Sequence, residues 1–258
     1  MAKFLVGILT TRDAEKAKRC IDSVNSNKVD IVVIVNSPDP EYLKKVEESC
    51  AGYTIIQTEC NGTPGKGKNS VLDYFIENNY DYLLPIDGDD FYTKGAVNQI
   101  VRYTNLLEDV DVLGQLNNKM SYQGKETEWE SFSKNMAGST FAAKSRVNWR
   151  VIRQFNKLTT DIFPFNRFLV LSKFATRNFR YREDILVADD LLANFELYSN
   201  TKVKYYLLKN RNWYFYDLED GGVLQSFAAD DKGGENMRPF FDRIQQLDFT
   251  NSKATVIE

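Results

Sequence analysis

The sequence predicts an α/β fold, a mostly parallel twisted sheet flanked by helices, with an irregular C-terminal part. Three observations carry that prediction. Short apolar runs alternate with amphipathic stretches across residues 1–115, as in chains that build β-α repeats. One of the runs, Ile31-Val32-Val33-Ile34-Val35, is continuously β-branched, the pattern of a parallel strand buried on both faces. Each run ends in a polar cluster, and ligands of parallel α/β sheets bind at the carboxyl ends of the strands.

Taken in order, Phe4 to Leu9 reads as the first strand. Ala14, Ala17, Ile21 and Val24 form one stripe of a helix over 13–26. The β-branched run is the second strand, broken by Asn36-Ser37-Pro38-Asp39-Pro40 and followed by a helix over 41–49. Tyr53 to Gln57 is the third strand, with a helix over 68–79, and Tyr82 to Ile86 the fourth, with a helix over 94–107. Val110 to Leu113 begins a fifth strand. Beyond residue 115 the pattern is less regular and richer in aromatics, without a repeat or a clear linker. The chain therefore reads as one domain over 1–258, with a regular half at 1–115 and an irregular half at 116–258.

Composition narrows the chemistry. No run approaches the roughly 18 apolar residues of a membrane span, so no transmembrane segment is expected. Cys20, Cys50 and Cys60 share no metal-like spacing and read as thiols in a reducing cytoplasm. The chain has no histidine. That excludes His-based triads and His metal ligands and leaves acid–base work to carboxylates, Lys, Tyr or Cys.

The strand ends carry Thr10-Thr11-Arg12, Asn36-Ser37, Asn61-Gly62 and Asp87-Gly88-Asp89-Asp90. Carboxylate oxygens suit hard cations such as Mg²⁺ or Mn²⁺, and the glycine between Asp87 and Asp89 permits a sharp turn. A metal held by Asp87 and Asp89 would bridge the phosphates of a nucleotide diphosphate. The plainer reading is an acidic turn after a strand.

These motifs, in this order, resemble the GT-A glycosyltransferases, especially the large inverting family 2. The resemblance covers residues 3–115 well and the rest in patches. It implies a nucleotide-sugar donor, a UDP-sugar in the first instance, and transfer to an acceptor hydroxyl. Thr10, Thr11, Arg12, Asn36, Asn61, Lys66, Lys68, Asn69, Asp87 and Gly88 then fall in the donor site, and Asp87 and Asp89 hold the metal. Asn36 stands where the family usually carries an Asp; Asp39 is the nearest substitute. The 1–115 half becomes the nucleotide-sugar-binding half, and 116–258 the acceptor-binding and catalytic-base half. The family places a second acidic motif about a hundred residues after the first, opening a helix, and Ala188-Asp189-Asp190-Leu191-Leu192 sits at that separation. Asp190 is the expected base and Asp189 its neighbour or an acceptor ligand, although an acidic residue at a helix start is also ordinary capping. Trp213 to Tyr216 followed by Asp220-Gly221-Gly222 resembles the family's aromatic strand and closing loop, where Asp217, Asp220 or water would stand in for a histidine.

Two competing readings remain at this level. Gly62-Thr63-Pro64-Gly65-Lys66-Gly67-Lys68-Asn69 nearly fits the phosphate-binding Gly-x4-Gly-Lys-Ser/Thr loop, with Asn69 in place of the hydroxyl residue. It would make the chain a phosphotransferase; the bland alternative is a flexible basic loop. Residues 144–182 hold ten Lys and Arg against the single acid Asp161, in a chain of net charge −3. If 144–158 is helical, Arg146, Arg150 and Arg153 share a face, with Trp149 among interleaved aromatics. Such asymmetry suggests an anionic acceptor or partner, DNA included. Small soluble transferases of this character resemble the phage enzymes that glycosylate hydroxymethylated pyrimidines, which would place the chain in a host cytoplasm. A surface-polysaccharide or lipid-linked acceptor, a non-catalytic nucleic-acid-binding module and a solvated basic face are the other readings.

Overall fold

A computed structural model of the protein describes residues 2–115, 119–122, 125–128, 167–186, 189–209, 211–217 and 238–257. The first part runs β1 (Phe4–Thr10), α1 (Ala14–Val24), β2 (Val29–Val35), α2 (Pro40–Ser49), β3 (Thr54–Gln57), α3 (Pro64–Glu77), β4 (Tyr82–Asp87), β5 (Phe91–Tyr92), α4 (Ala96–Leu106) and β6 (Val112–Gln115). It continues with β7 (Lys119–Tyr122), β8 (Lys125–Glu128), β9 (Phe168–Ser172), α5 (Lys173–Arg177), α6 (Asp189–Ser199), β10 (Tyr205–Leu208), β11 (Tyr214–Asp217), α7 (Arg238–Ile244) and β12 (Ala254–Ile257).

Eight strands form the main sheet in the order β12-β10-β6-β9-β4-β1-β2-β3. All neighbours are parallel except β9, which runs antiparallel to both β4 and β6. The expected mostly parallel sheet is therefore present, and strands from before and after residue 115 share it. A second sheet, β5-β11-β7-β8, was not anticipated from periodicity.

Successive strand residues point to opposite faces, so β1 feeds two cores. Phe4, Val6 and Ile8 pack with Ala17, Ile21 and Val46 beneath α1, α2 and α4. Leu5 and Leu9 pack with Val71, Leu72, Phe75 and Phe195 beneath α3 and α6. All seven β1 residues are buried, which fixes the centre of the sheet.

The helix starts follow from their caps. Asp13 accepts from the Lys16 amide at 3.0 Å and Asp39 from that of Glu41 at 2.9 Å, with Pro40 in the first turn of α2. Thr63 caps α3, and Pro64 opens it. The helix thus begins four residues earlier than the 68–79 expected, and Lys66 lies in its first turn, not in a loop before it. The difference has a packing cause. A Cβ on Gly65 would strike the Arg182 carbonyl, and one on Gly67 would strike Leu9 and Asn36. These glycines serve close approach of the helix to its neighbours, which overrides their poor helix propensity.

Candidate active site

β4 delivers Asp87 to the carboxyl edge of the sheet, beside the end of β1. Gly88 donates its amide to the Leu9 carbonyl at 2.6 Å, and the Asp90 amide returns to the Asp87 carbonyl at 3.0 Å. A Cβ on Gly88 would come to 3.0 Å from both the Leu9 oxygen and Thr10 Cβ, so any larger residue would have to push the two strand ends apart by a few tenths of an ångström. Asp90 is fully buried: its Oδ2 meets the Tyr214 hydroxyl at 2.5 Å and its Oδ1 accepts the Asp217 amide at 2.9 Å. It anchors the acidic turn to β11. Burial first, then the charge on Asp87, pushes the Asp89 carboxyl above its ordinary value.

Carboxylate oxygens of Asp87, Asp89 and Asp90 lie within 4.8 Å of one another. That donor set fits a hard divalent cation. With Asp90 committed to Tyr214 and Asp217, Asp87 and Asp89 are the better placed to hold one.

Opposite the turn, α6 begins with Asp189 and Asp190, and two cations stand between the acidic groups. Lys68, from α3, places Nζ 2.5 Å from Asp190 Oδ1, 2.8 Å from Asp189 Oδ2 and 3.8 Å from Asp87 Oδ1. Arg167, just before β9, pairs through Nη1 with Asp190 Oδ2 and, at 3.2 Å, with Asp87 Oδ2. Its guanidinium lies 4.5 Å from the Tyr216 ring centroid, and the Lys68 ammonium lies 5.4 Å from that of Tyr181.

The electrostatics separate the two α6 carboxyls. Burial pushes Asp189 up to about 6 even with Lys68 opposing it. Burial also acts on Asp190, but Lys68 and Arg167 together outweigh it and hold that carboxyl below its ordinary value. Asp190 therefore stays ionised to lower pH than Asp189.

The other strand-end residues divide into two groups. Thr11 and Arg12 are exposed, and Lys66 is half-buried. The rest are tied into the frame. Thr10 Oγ1 bonds the Tyr42 hydroxyl at 2.5 Å. Asn36 donates Nδ2 to the Thr63 carbonyl at 3.0 Å and is buried. Asn61 Oδ1 builds the turn before α3 by accepting from the Thr63 amide at 3.0 Å. Asn69 clamps α3 to the segment after α5: it donates to the Tyr181 carbonyl at 2.9 Å and accepts the Tyr181 amide at 3.0 Å. Lys68 faces carboxylates from within a helix, so the residues of the Gly-x4-Gly-Lys pattern do not form a phosphate-cradling loop here.

Several contributors were not singled out from sequence. Arg167 was counted only as one cation of the basic segment. Arg19 on α1 donates to the Asp89 carbonyl at 2.7 Å and to Asp217 Oδ2 at 2.6 Å. Asp217, offered above as a histidine substitute, directs its carboxylate to Arg19 and, at 3.9 Å, to Lys16. No local pattern marks Arg19, because its partners lie 70 and 198 residues away. Arg146, Trp149, Arg150 and Arg153, the helix over 144–158 and Asp220-Gly221-Gly222 lie outside the described residues. Within the described part of the basic segment, Arg180 pairs with Asp73, Arg182 with Asp184, and Lys173 with the Asn78 carbonyl. No described helix is long and apolar enough to cross a membrane.

Comparison with known proteins gives the family and the fold. The family model described as glycosyl transferase family 2 matches residues 6–186, more than half of the chain. Among solved structures, S. aureus TarS 1–349 in complex with UDP-GlcNAc superposes with a TM-score of 0.61 at 20% identity, covering 96% of this chain and 68% of that one. TarS 1–349 in complex with UDP gives 0.56 at 17% identity, covering 96% and 67%. The longer S. aureus TarS structure also gives 0.56, at 18% identity, and this chain spans 41% of it. No curated protein sequence matches the chain.

Proposed function

The chain belongs to glycosyl transferase family 2, and on that premise we propose that it moves the sugar of a UDP-sugar onto an acceptor hydroxyl with inversion at the anomeric carbon. The observation that carries the proposal is the approach of two acidic groups across the carboxyl edge of the sheet. Asp87 and Asp89 lie on one side and Asp190 on the other, with Lys68 and Arg167 between them.

In this reading Asp190 accepts the proton of the acceptor hydroxyl while that oxygen attacks the anomeric carbon. The bond from the anomeric carbon to the diphosphate breaks, and its electron pair leaves with UDP. Lys68 is positioned to turn from the carboxylates towards the donor phosphates. Asp87 and Asp89 would hold Mg²⁺ or Mn²⁺, which when bound neutralises charge on the leaving diphosphate. The UDP-GlcNAc held by TarS supports a uridine nucleotide as donor. The acceptor reading is an anionic one, hydroxymethylated pyrimidine in DNA being the case to test first. Because Arg167, Lys173, Arg180 and Arg182 have internal partners, that reading rests on the exposed Arg177 and on the cations of 144–158, Arg146, Arg150 and Arg153 among them. The free thiols of Cys20, Cys50 and Cys60 suit a cytoplasmic enzyme.

UDP with Mn²⁺ is expected to raise the melting temperature, and Asp89→Asn to abolish the shift. No shift with any nucleoside diphosphate plus metal would refute the donor site. Mass spectrometry of hydroxymethylated DNA, incubated with enzyme, Mn²⁺ and a panel of nucleotide sugars, tests the acceptor. An unmodified DNA mass alongside sugar transfer to a glycan or lipid acceptor would overturn the DNA reading.

A further inference from the structure

Arg167 joins the two acidic groups beside Lys68, and no motif marks it. Its place follows from topology. β9 is antiparallel to β4, with Tyr82 opposite Ser172 and Leu83 opposite Leu171. Beyond those pairs β9 begins at Phe168, beside the end of β4, and Arg167 just before it reaches Asp87 Oδ2 at 3.2 Å. The one reversed strand among those described in the main sheet thereby brings an amino-terminal strand end to the edge where β1, β2 and β4 present their carboxyl ends.

At that point Arg167 is 6% exposed. Its Nη1 is shared by Asp190 Oδ2 and Asp87 Oδ2, and Nη2 lies 3.9 Å from Asp90 Oδ2. The guanidinium is stacked at 4.5 Å on Tyr216, and Tyr214 lies 5.7 Å away. A planar fork held on aromatic faces has little freedom, and it can serve several carboxylates at fixed angles where an ammonium cannot. Lys68 holds the other oxygen of Asp190, but it stands on a flexible stem and faces the proposed diphosphate. Arg167 is rooted beside a central strand and packed on tyrosines, so it is the cation that stays.

We propose that Arg167 is the positioning residue of the transfer step. It acts through Asp190, fixing that carboxylate relative to Asp87 so that the base meets the acceptor oxygen on the line of attack. The inference rests on the assignment of Asp190 as base given above. During transfer Arg167 gains and loses no proton. The proton passes from the acceptor oxygen to Asp190 Oδ1, vacated by Lys68, while Oδ2 stays on the guanidinium.

The test uses the whole protein with UDP-GlcNAc and Mn²⁺, reading UDP release with water as acceptor, and calorimetry of UDP binding. Arg167→Met is expected to lower kcat about a hundredfold, the scale for misplacing a reacting group by about 1 Å. The KM for UDP-GlcNAc and the affinity for UDP should stay within about threefold, as for an interaction made only in the transition state. Arg167→Lys, which keeps the charge without the fork, should recover part of kcat. In an Asp190→Asn background, Arg167→Met should cost nothing further, because the group it positions is already gone. An equal additional loss in that background would show a role independent of the base and overturn the proposal. So would a raised KM with unchanged kcat, which would make Arg167 a donor ligand. If Arg167→Met fails to fold, the Arg167→Lys and Asp190→Asn pair gives the same non-additivity reading. Wild-type protein that releases no UDP and binds none would sink the donor site itself and this proposal with it. UDP release unaffected by Asp190→Asn would instead leave the donor site standing and overturn the base assignment and this proposal together.

Discussion

Replacing Lys68 with methionine isolates the electrostatic cost of the carboxylate cluster. The thioether fills most of the space of the lysine stem and removes the charge. Asp189, Asp190 and Asp87, at 2.8, 2.5 and 3.8 Å from Nζ, then lose a shared buried cation. Breaking a buried pair by removing one partner costs about 3–5 kcal/mol. Asp189 already sits at about 6, so it takes up a proton once Lys68 is gone and holds the loss near the lower figure, about 3 kcal/mol at pH 7.5. For a domain of this size each kcal/mol moves the melting temperature by about 2–4 °C, so a fall of about 6–12 °C is expected. The sign with pH is also fixed. Asp190, held below its ordinary value by Lys68 and Arg167, contributes stability that is present at neutral pH and lost as pH falls through its folded value. That loss begins only below the ordinary 3.8, so between pH 7.5 and 5 the group that titrates is Asp189: freed of the opposing Lys68 charge it takes up its proton at a higher pH than in wild type, and the gap between variant and wild type should narrow towards pH 5. Thermal melts in the presence of a chelator at pH 7.5 and 5.0 measure both. A loss below about 2 °C, equivalent to less than 1 kcal/mol, or a loss equal at the two pH values, would refute the reasoning.

Three further outcomes follow from the same geometry. Asp189 is raised by burial to about 6 from an ordinary 3.8. Its contribution to stability is therefore full below 3.8 and lost as pH rises through about 6. The melting-temperature difference of wild type minus Asp189→Asn should grow as pH drops from 7.5 to 5, and a flat difference contradicts it. Gly88→Ala drives a Cβ against the Leu9 carbonyl at 3.0 Å and should cost about 1–3 kcal/mol in urea unfolding; an unchanged midpoint would show that the turn can yield. Tyr214→Phe removes the hydroxyl 2.5 Å from the buried Asp90 and should cost about 1–3 kcal/mol by the same assay, the price of a buried polar group left short of a partner.

The parallel half of the fold was legible because its signals are local. A strand buried on both faces must be apolar throughout, and β2 is. β4 ends where Asp87 begins a polar turn, and the acidic residues at the start of α6 mark a helix opening. β9 was not legible, although Phe168 to Ser172 is as apolar as β1 in its interior. Which strand it pairs with, and in which direction, depends on contacts with β4 and β6, and periodicity carries no information about either. The same limit hid the second sheet, whose β11 pairs with β5 and with β7 from distant parts of the chain.

The basic segment shows how far a charge pattern can be read. Ten cations against one acid in residues 144–182 imply an anion, and the segment was read as facing an anionic partner outside the chain. Charge asymmetry along a chain is not charge asymmetry in space. Arg180 finds Asp73 on α3, and Arg167 finds three carboxylates gathered from β4, the turn after it and α6. Those carboxylates come from parts of the sequence that look acidic for the complementary reason. An excess of positive charge in one segment and of negative charge at three distant points is the signature a folded active site leaves when its counter-charges are supplied from opposite halves of the chain. That makes the position of the cation relative to the strand register more informative than the number of cations. Among the described cations of the segment, Arg167 is the one that reaches both Asp87 and Asp190, and so the one whose loss should reach the base.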